Sequence, residues 1–162
     1  MAADPLAAYL NDHLAGSVAA LELIDSVSER ERGSSRALFL GTIRDAVETD
    51  QRVLRDLIAR TGGGESVVKR AAAWVGEKAA RAKLAVTGAG DGELAVFEGL
   101  EALALGIQGK ASLWRALRAA APGDRRLAGL DFDELEQRAI RQFEAVDSER
   151  LALAERVLRG PA

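Results

Sequence analysis

The sequence predicts an all-α fold, and two observations carry this prediction. Ten of the sixteen glycines stand at or between the ends of Ala- and Leu-rich blocks, where glycine is typical of helix termini. Sustained alternation of apolar and polar residues is missing, and Ala, Leu, Glu and Arg are abundant where strands would need β-branched residues. We therefore expect helices and no sheet.

Five helices are expected, each bounded by glycine, proline or a capping side chain. Their approximate ranges are 5–30, 34–61, 66–86, 92–121 and 131–159. Short polar side chains at an N-cap accept hydrogen bonds from the first free backbone N–H groups, and proline is favoured in the first turn. The candidates for these roles, in chain order, are Asp4 before Pro5, Ser34 or Ser35, Ser66 and Asp131. Pro122 marks the end of the fourth helix.

The lengths of these helices predict a four-helix bundle within a single domain, 1–162. Four of them are about 37 to 44 Å long at 1.5 Å per residue, whereas 66–86 is shorter. Short links join the first helix to the second and the fourth to the fifth, so each pair should form an antiparallel hairpin. The helix at 66–86 either runs back along the bundle as a long crossover or lies across one end of an up-and-down bundle. We favour the crossover.

Composition excludes several classes of protein. The chain has 22 Lys and Arg against 25 Asp and Glu, a net charge of −3, so it has no basic excess for nucleic acid or an anionic membrane. It has no cysteine, which removes disulfides and thiolate chemistry. No run of 18 apolar residues occurs, and the N-terminal stretch carries acids where a signal peptide carries Lys or Arg. We expect a soluble cytoplasmic protein.

Several polar residues fall on the stripes of apolar residues that should face the core. The stripe of the second helix consists of Leu40, Ile43, Val47, Leu54 and Leu57. Asp50 lies on this stripe. Arg150 interrupts the corresponding stripe of the fifth helix, and the pattern of the first helix turns His13 inward. In the most apolar helix, 92–121, Lys110 is one of few charges.

Distance from the turn predicts which of these residues are neighbours, because residues equally far from the turn of an antiparallel hairpin lie side by side. The first turn centres near residue 32, which pairs His13 with Asp50. The second turn centres near residue 126, which brings Arg150 level with Glu101 or Ala102. A buried charge must find a partner or reach water, and Lys110 and Arg150 have long stems that permit the second outcome.

The same arithmetic places Lys110 level with Gln142. The candidate buried polar cluster therefore consists of His13, Asp50, Glu101, Lys110, Gln142 and Arg150. In the helix at 92–121, small residues form a smooth strip on which we expect the helix at 66–86 to pack. The strip consists of Gly99, Ala102, Gly106 and Gly109.

This arrangement of long-helix hairpins joined by a crossover resembles the ferritin-like superfamily over nearly the whole chain. The resemblance implies a di-metal site, built from a Glu on each of two helices and a Glu-x-x-His on each of the other two. This chain has one histidine, His13, and the residue three before it is Leu10. It therefore resembles a degenerate branch without the di-iron motifs. Four pairs of acidic residues, each with its two members three positions apart, are expected at the surface. They are Glu22 with Asp25, Asp45 with Glu48, Glu98 with Glu101, and Glu144 with Asp147.

Three functional hypotheses follow. The first is a non-enzymatic bundle without a di-metal site or cofactor, acting on an unknown protein partner or on itself as a homodimer. The second is a metal-binding or stress-related protein with an unorthodox site at His13, Asp50 and Glu101. The third is a small-ligand pocket between the helices, lined by Ala-rich positions. A single histidine with Asp50 and no well-placed Ser or Cys nucleophile is too little for a hydrolase.

Overall fold

The computed structural model describes residues 4–62 and 92–159 of the chain. Within these ranges the elements are α1 (Pro5–Arg30), α2 (Ser35–Arg60), α3 (Glu93–Ala120), a 3-10 turn (Arg125–Leu127) and α4 (Phe132–Arg159). The described ranges contain no strand, which confirms the all-α prediction, and every helix end lies within one residue of its predicted position. The helix predicted at 66–86, with its cap Ser66, lies outside the described residues.

Capping side chains fix the starts of the helices. The Asp4 carboxylate accepts a hydrogen bond from the backbone N–H of Leu6 at 3.1 Å. At α2 the cap is Ser34, whose hydroxyl accepts from the N–H of Ala37 at 3.2 Å. The Asp131 carboxylate accepts from an N–H in the first turn of α4 at 3.0 Å. Gly33, with a φ of 82°, supplies the left-handed conformation of the turn between α1 and α2.

The four helices pack as two antiparallel pairs, α1 with α2 and α3 with α4. The two pairs meet where α1 contacts α3, and there Gly99, near the start of α3, packs on Val27, near the end of α1. Because α1 and α3 are thus antiparallel, α2 and α3 run in the same direction. The end of α2 and the start of α3 lie at opposite ends of the bundle, as in the favoured crossover arrangement and unlike an up-and-down bundle.

Two hydrophobic clusters fill the core, one in each half of the bundle. The first includes Ile24, Val27, Leu40, Val47, Leu100, Ile107, Val146 and Leu153. The second includes Leu10, Leu54, Leu57, Ala111, Trp114, Leu117, Leu135 and Ala139. All five apolar residues of the stripe predicted on α2 are buried. On three helices the change from one cluster to the other falls at a polar residue, namely Asp50, Lys110 and Gln142.

The glycines of α3 differ in what surrounds them. A Cβ atom added to Gly99 would lie 2.6 Å from Cγ2 of Val27, so this glycine permits close approach of α1. A Cβ added to Gly106 or Gly109 would meet nothing within 4 Å. The partner predicted for the strip, 66–86, is outside the described residues. None of the described helices has an apolar stretch long enough to span a membrane.

Candidate functional site: a polar layer and a cleft at mid-bundle

A layer of four side chains, which we call the polar layer, crosses the core between the two hydrophobic clusters. It consists of Asp50 on α2, Lys110 on α3, and Arg138 and Gln142 on α4. The Lys110 ammonium donates to Oδ2 of Asp50 at 2.5 Å and also donates to Oε1 of Gln142. Arg138 donates to Oδ1 of Asp50, and Nε2 of Gln142 donates to Oδ2 at 3.4 Å. Among the described residues, the buried carboxylate therefore has three donors.

The charges of the polar layer do not cancel, because one carboxylate faces two cations. The Asp50 side chain is 3% exposed and that of Lys110 is 14% exposed, whereas that of Arg138 is 31% exposed and reaches water. Burial lowers the pKa of Lys110 below its ordinary value, and the charge of Arg138 lowers it further, while Asp50 acts in the opposite direction. The layer thus carries a formal excess of one positive charge.

The polar layer contains three of the six residues of the predicted cluster. The expected contact between Lys110 and Gln142 is present. The expected pair of His13 and Asp50 is not, and that expectation was wrong: in the described part of the chain no hydrogen bond or ion pair joins them, because Asp50 turns to the cations of the other hairpin. The Lys110 ammonium is held inside the bundle and does not extend to the surface.

His13 lies half-buried on α1, apart from the layer's ion pairs. Its ring makes an edge-on contact with that of Tyr9, with centroids 4.7 Å apart and planes at 77°. Burial lowers the pKa of His13 below its ordinary value, and the charge of Asp12 opposes this shift. The imidazole is therefore favoured in its neutral form, which offers one N–H donor and one acceptor.

Glu101 and Arg150 form the predicted ion pair, with Nη1 of Arg150 3.1 Å from Oε2 of Glu101. The pair lies at the rim between α3 and α4, since the Glu101 side chain is 51% exposed. Arg150 also binds Asp147 at 2.8 Å and stands over the ring of Phe97, 5.7 Å from its centroid. These two residues are therefore separate from the polar layer.

The sequence analysis missed Arg138 and Glu136, two charged residues that form ion pairs with buried partners or are themselves buried. Arg138 lies one helical turn before Gln142, and its long side chain reaches Asp50 from that level. Glu136 is 5% exposed and binds Arg115 at 2.6 Å and Arg118 at 2.9 Å. Counting residues from the turn near residue 126 would have predicted this second group, because Glu136 and Arg115 are almost equally far from that turn.

A half-open cleft of about 90 Å³ lies between α1 and α3, beside the polar layer. Its lining includes His13, Gly16 and Ser17 of α1 and Gly106, Ile107 and Lys110 of α3. The Ser17 hydroxyl donates to the carbonyl of Leu14 at 2.7 Å and accepts from Nε2 of Gln51 at 3.0 Å, so its hydrogen is already used. The other lining residues with polar side chains are His13 and Lys110.

The donor set of the polar layer does not fit the di-metal centre of a ferritin-like protein. Such a centre needs converging carboxylates and imidazoles, whereas here one carboxylate is neutralised by an ammonium and a guanidinium. His13, Asp50 and Glu101 have separate surroundings, and no group of three metal-ligating side chains occurs among residues 4–62 and 92–159. A divalent cation placed beside Asp50 would be repelled by Lys110 and Arg138.

Comparisons with protein-family models, with curated proteins and with solved structures find no match to this chain.

Proposed function

We propose that this protein is a non-enzymatic helical bundle of ferritin-like architecture in which ion pairs replace the di-metal centre, and that it acts by self-association. The observation that carries the proposal is the position of Asp50, which lies at mid-bundle between two cations. A ferritin-like protein would have metal ligands between its helices, and this chain has ion pairs and hydrogen bonds there. The parallel course of α2 and α3 also agrees with the single crossover of that architecture.

The outer face of α3 supports the second half of the proposal. Leu94 is 46% exposed and Leu105 is 62% exposed, and they are 11 positions apart, which is about three helical turns. Ser112 and Ala116, which are small and exposed, lie on the same side of the helix. Small residues around exposed leucines permit close packing of a second copy, and a twofold dimer would bring the same face of each chain together.

Sedimentation analysis over a micromolar to millimolar range tests self-association. The wild type should form a dimer, and Leu105→Glu should shift it to the monomer because each dimer would then bury two charges. Leu38→Glu is the matched control, since Leu38 is the most exposed leucine of α2 and lies away from this face. A monomeric wild type at every concentration would contradict the proposal, as would equal effects of the two variants.

Metal titration tests the loss of the di-metal site. Iron, manganese and zinc should each fail to bind stoichiometrically, and Asp50→Asn should leave this result unchanged. Stoichiometric binding that Asp50→Asn abolishes would overturn the proposal and favour a metal-binding protein with a site that includes Asp50.

A further inference from the structure

We propose that the cleft between α1 and α3 is a binding site for a short-chain monocarboxylate, whose carboxylate group contacts the Lys110 ammonium and whose alkyl group contacts the apolar lining. This site is independent of the outer face of α3, because none of the outer-face residues lines the cleft.

The hydrogen bonds of Lys110 provide the first support. An ammonium has three N–H donors. Within the described part of the chain, Asp50 and Gln142 take two of them. Lys110 also lines the cleft, and no described residue takes its third donor, which we therefore assign to a ligand there. An unmet donor on a charged group gains more from an acceptor than a neutral donor does.

The charge of the polar layer provides the second support and selects an anion. Asp50 carries one negative charge, whereas Lys110 and Arg138 carry two positive charges. A monoanion in the cleft would balance the excess. A cation would be repelled, and a neutral ligand would leave the excess charge unchanged.

The lining and its size select a carboxylate with a short alkyl group. Val47, Ile107 and Leu113 supply apolar surface around the polar end of the cleft. Its volume of about 90 Å³ is well below the roughly 300 Å³ at which pockets for drug-sized ligands begin, so it fits a small ligand. The neutral imidazole of His13 has no hydrogen bond within the described residues and supplies an N–H for the second carboxylate oxygen.

The test is a titration of the full chain with sodium propionate, followed by NMR. His13 is the only histidine in the sequence, so its imidazole signals report on the cleft without ambiguity. The signals should shift saturably with propionate. Propionamide, a neutral ligand of the same shape, should bind at least about tenfold more weakly, as expected when a charged hydrogen bond is lost. Sodium phosphate should not compete, because it lacks the alkyl group.

Two variants and one control complete the test. Lys110→Met should weaken propionate binding by about tenfold or more. Gly106→Leu should abolish it, because a Cβ added there meets no atom within 4 Å and residue 106 lines the cleft, so the larger side chain occupies the ligand's space. Gly41→Leu, a matched change at an open position on α2, should leave binding unchanged.

Several results would overturn the inference. These are the lack of a saturable shift, equal affinities for propionate and propionamide, competition by phosphate, and full binding by Gly106→Leu. If Lys110→Met fails to fold, Gly106→Leu still tests the proposal, because Gly106→Leu leaves every member of the polar layer in place.

Discussion

Asp50 stands where a leucine would complete the apolar stripe of α2, and its burial is tolerated because both of its oxygens accept hydrogen bonds. Breaking a buried ion pair by removing one partner costs about 3–5 kcal/mol in other proteins, whereas replacing the whole group by apolar residues is often neutral. The polar layer therefore contributes less to stability than to the choice of a single alignment between the two hairpins, since sliding either hairpin would leave Asp50 buried without its cations.

At the same scale, the titration of His13 separates two arrangements of its neighbours. A carboxylate partner would raise the pKa of His13, whereas burial without one lowers it. We expect NMR titration of this single histidine to give a pKa below the ordinary value of 6.5. Asp50→Asn should leave that pKa unchanged, because Asp50 binds Lys110 and Arg138. A pKa above 6.5 that falls in Asp50→Asn would instead restore the pair of His13 and Asp50.

The lowered pKa of His13 also makes folding depend on pH. As the pH falls below 6.5, the unfolded chain binds a proton at this residue before the folded chain does, so the free energy of unfolding decreases. The loss ends once the pH passes below the folded-state pKa. Urea unfolding at pH 7.5 and 5.5 should therefore show a larger loss for the wild type than for His13→Gln, and equal losses would contradict the lowered pKa.

At the scale of the helices, Gly99 and Gly109 of α3 make opposite contributions. Gly99→Ala would place a Cβ 2.6 Å from Cγ2 of Val27, a β-branched residue with little rotameric freedom in a helix. We expect a loss of about 1–3 kcal/mol, typical of overpacking. Gly109→Ala has open space and should gain up to about 1 kcal/mol from helix propensity.

Urea unfolding of these variants checks the contact between α1 and α3. The double variant Gly99→Ala with Val27→Ala should recover part of the loss of Gly99→Ala, because the methyl group of Val27 that clashes is then removed. If Gly99→Ala were as stable as Gly109→Ala, the two helices would not approach as closely as the structure shows.

At the scale of the whole molecule, the direction of α3 relative to α1 distinguishes the crossover arrangement from an up-and-down bundle. The chain has no cysteine, so engineered pairs can be tested without background. Residues 27 and 99 lie close enough for a disulfide, which needs Cβ atoms about 3.5–4.5 Å apart. Val27→Cys with Gly99→Cys should therefore oxidise readily within one chain, as judged by mass spectrometry after proteolysis.

The matched control places the second cysteine at the other end of α3. Val27→Cys with Ala116→Cys should remain reduced within the monomer, because 17 residues of helix, about 26 Å, separate positions 99 and 116. The opposite result, in which only the control pair forms the intramolecular disulfide, would mean that α3 runs parallel to α1.

The ends of the bundle show how the two hairpins are held together away from the core. Arg126, beside the 3-10 turn, binds Asp4 at 2.7 Å, and Arg60 at the end of α2 donates to the carbonyl of Ala128 at 2.9 Å. At the other end, Arg36 of α2 binds Glu149 of α4 at 3.2 Å. These links join the hairpins at both ends, and the polar layer joins them in the middle.

The sequence by itself determined the four described helices, their ends, the two hairpins and the buried stripe of α2. These features depend on interactions between residues close in the chain: capping by Asp4 and Ser34, helix termination at glycine, and apolar residues at helical spacing. Pairing within the second hairpin was also predictable, as Lys110 with Gln142 and Arg150 with Glu101 show. A short turn fixes the register of an antiparallel pair, so counting residues from the turn is sufficient.

Only the tertiary structure decided how the hairpins combine. Asp50 had a candidate partner on its own hairpin, His13, and it binds Lys110 and Arg138 of the other hairpin instead. That choice depends on the distance and direction between helices that the chain connects only remotely, and no local pattern encodes them. The contact of Gly99 with Val27 and the cleft beside Lys110 arise in the same way. Local forces specify the helices, and packing between them places the polar groups.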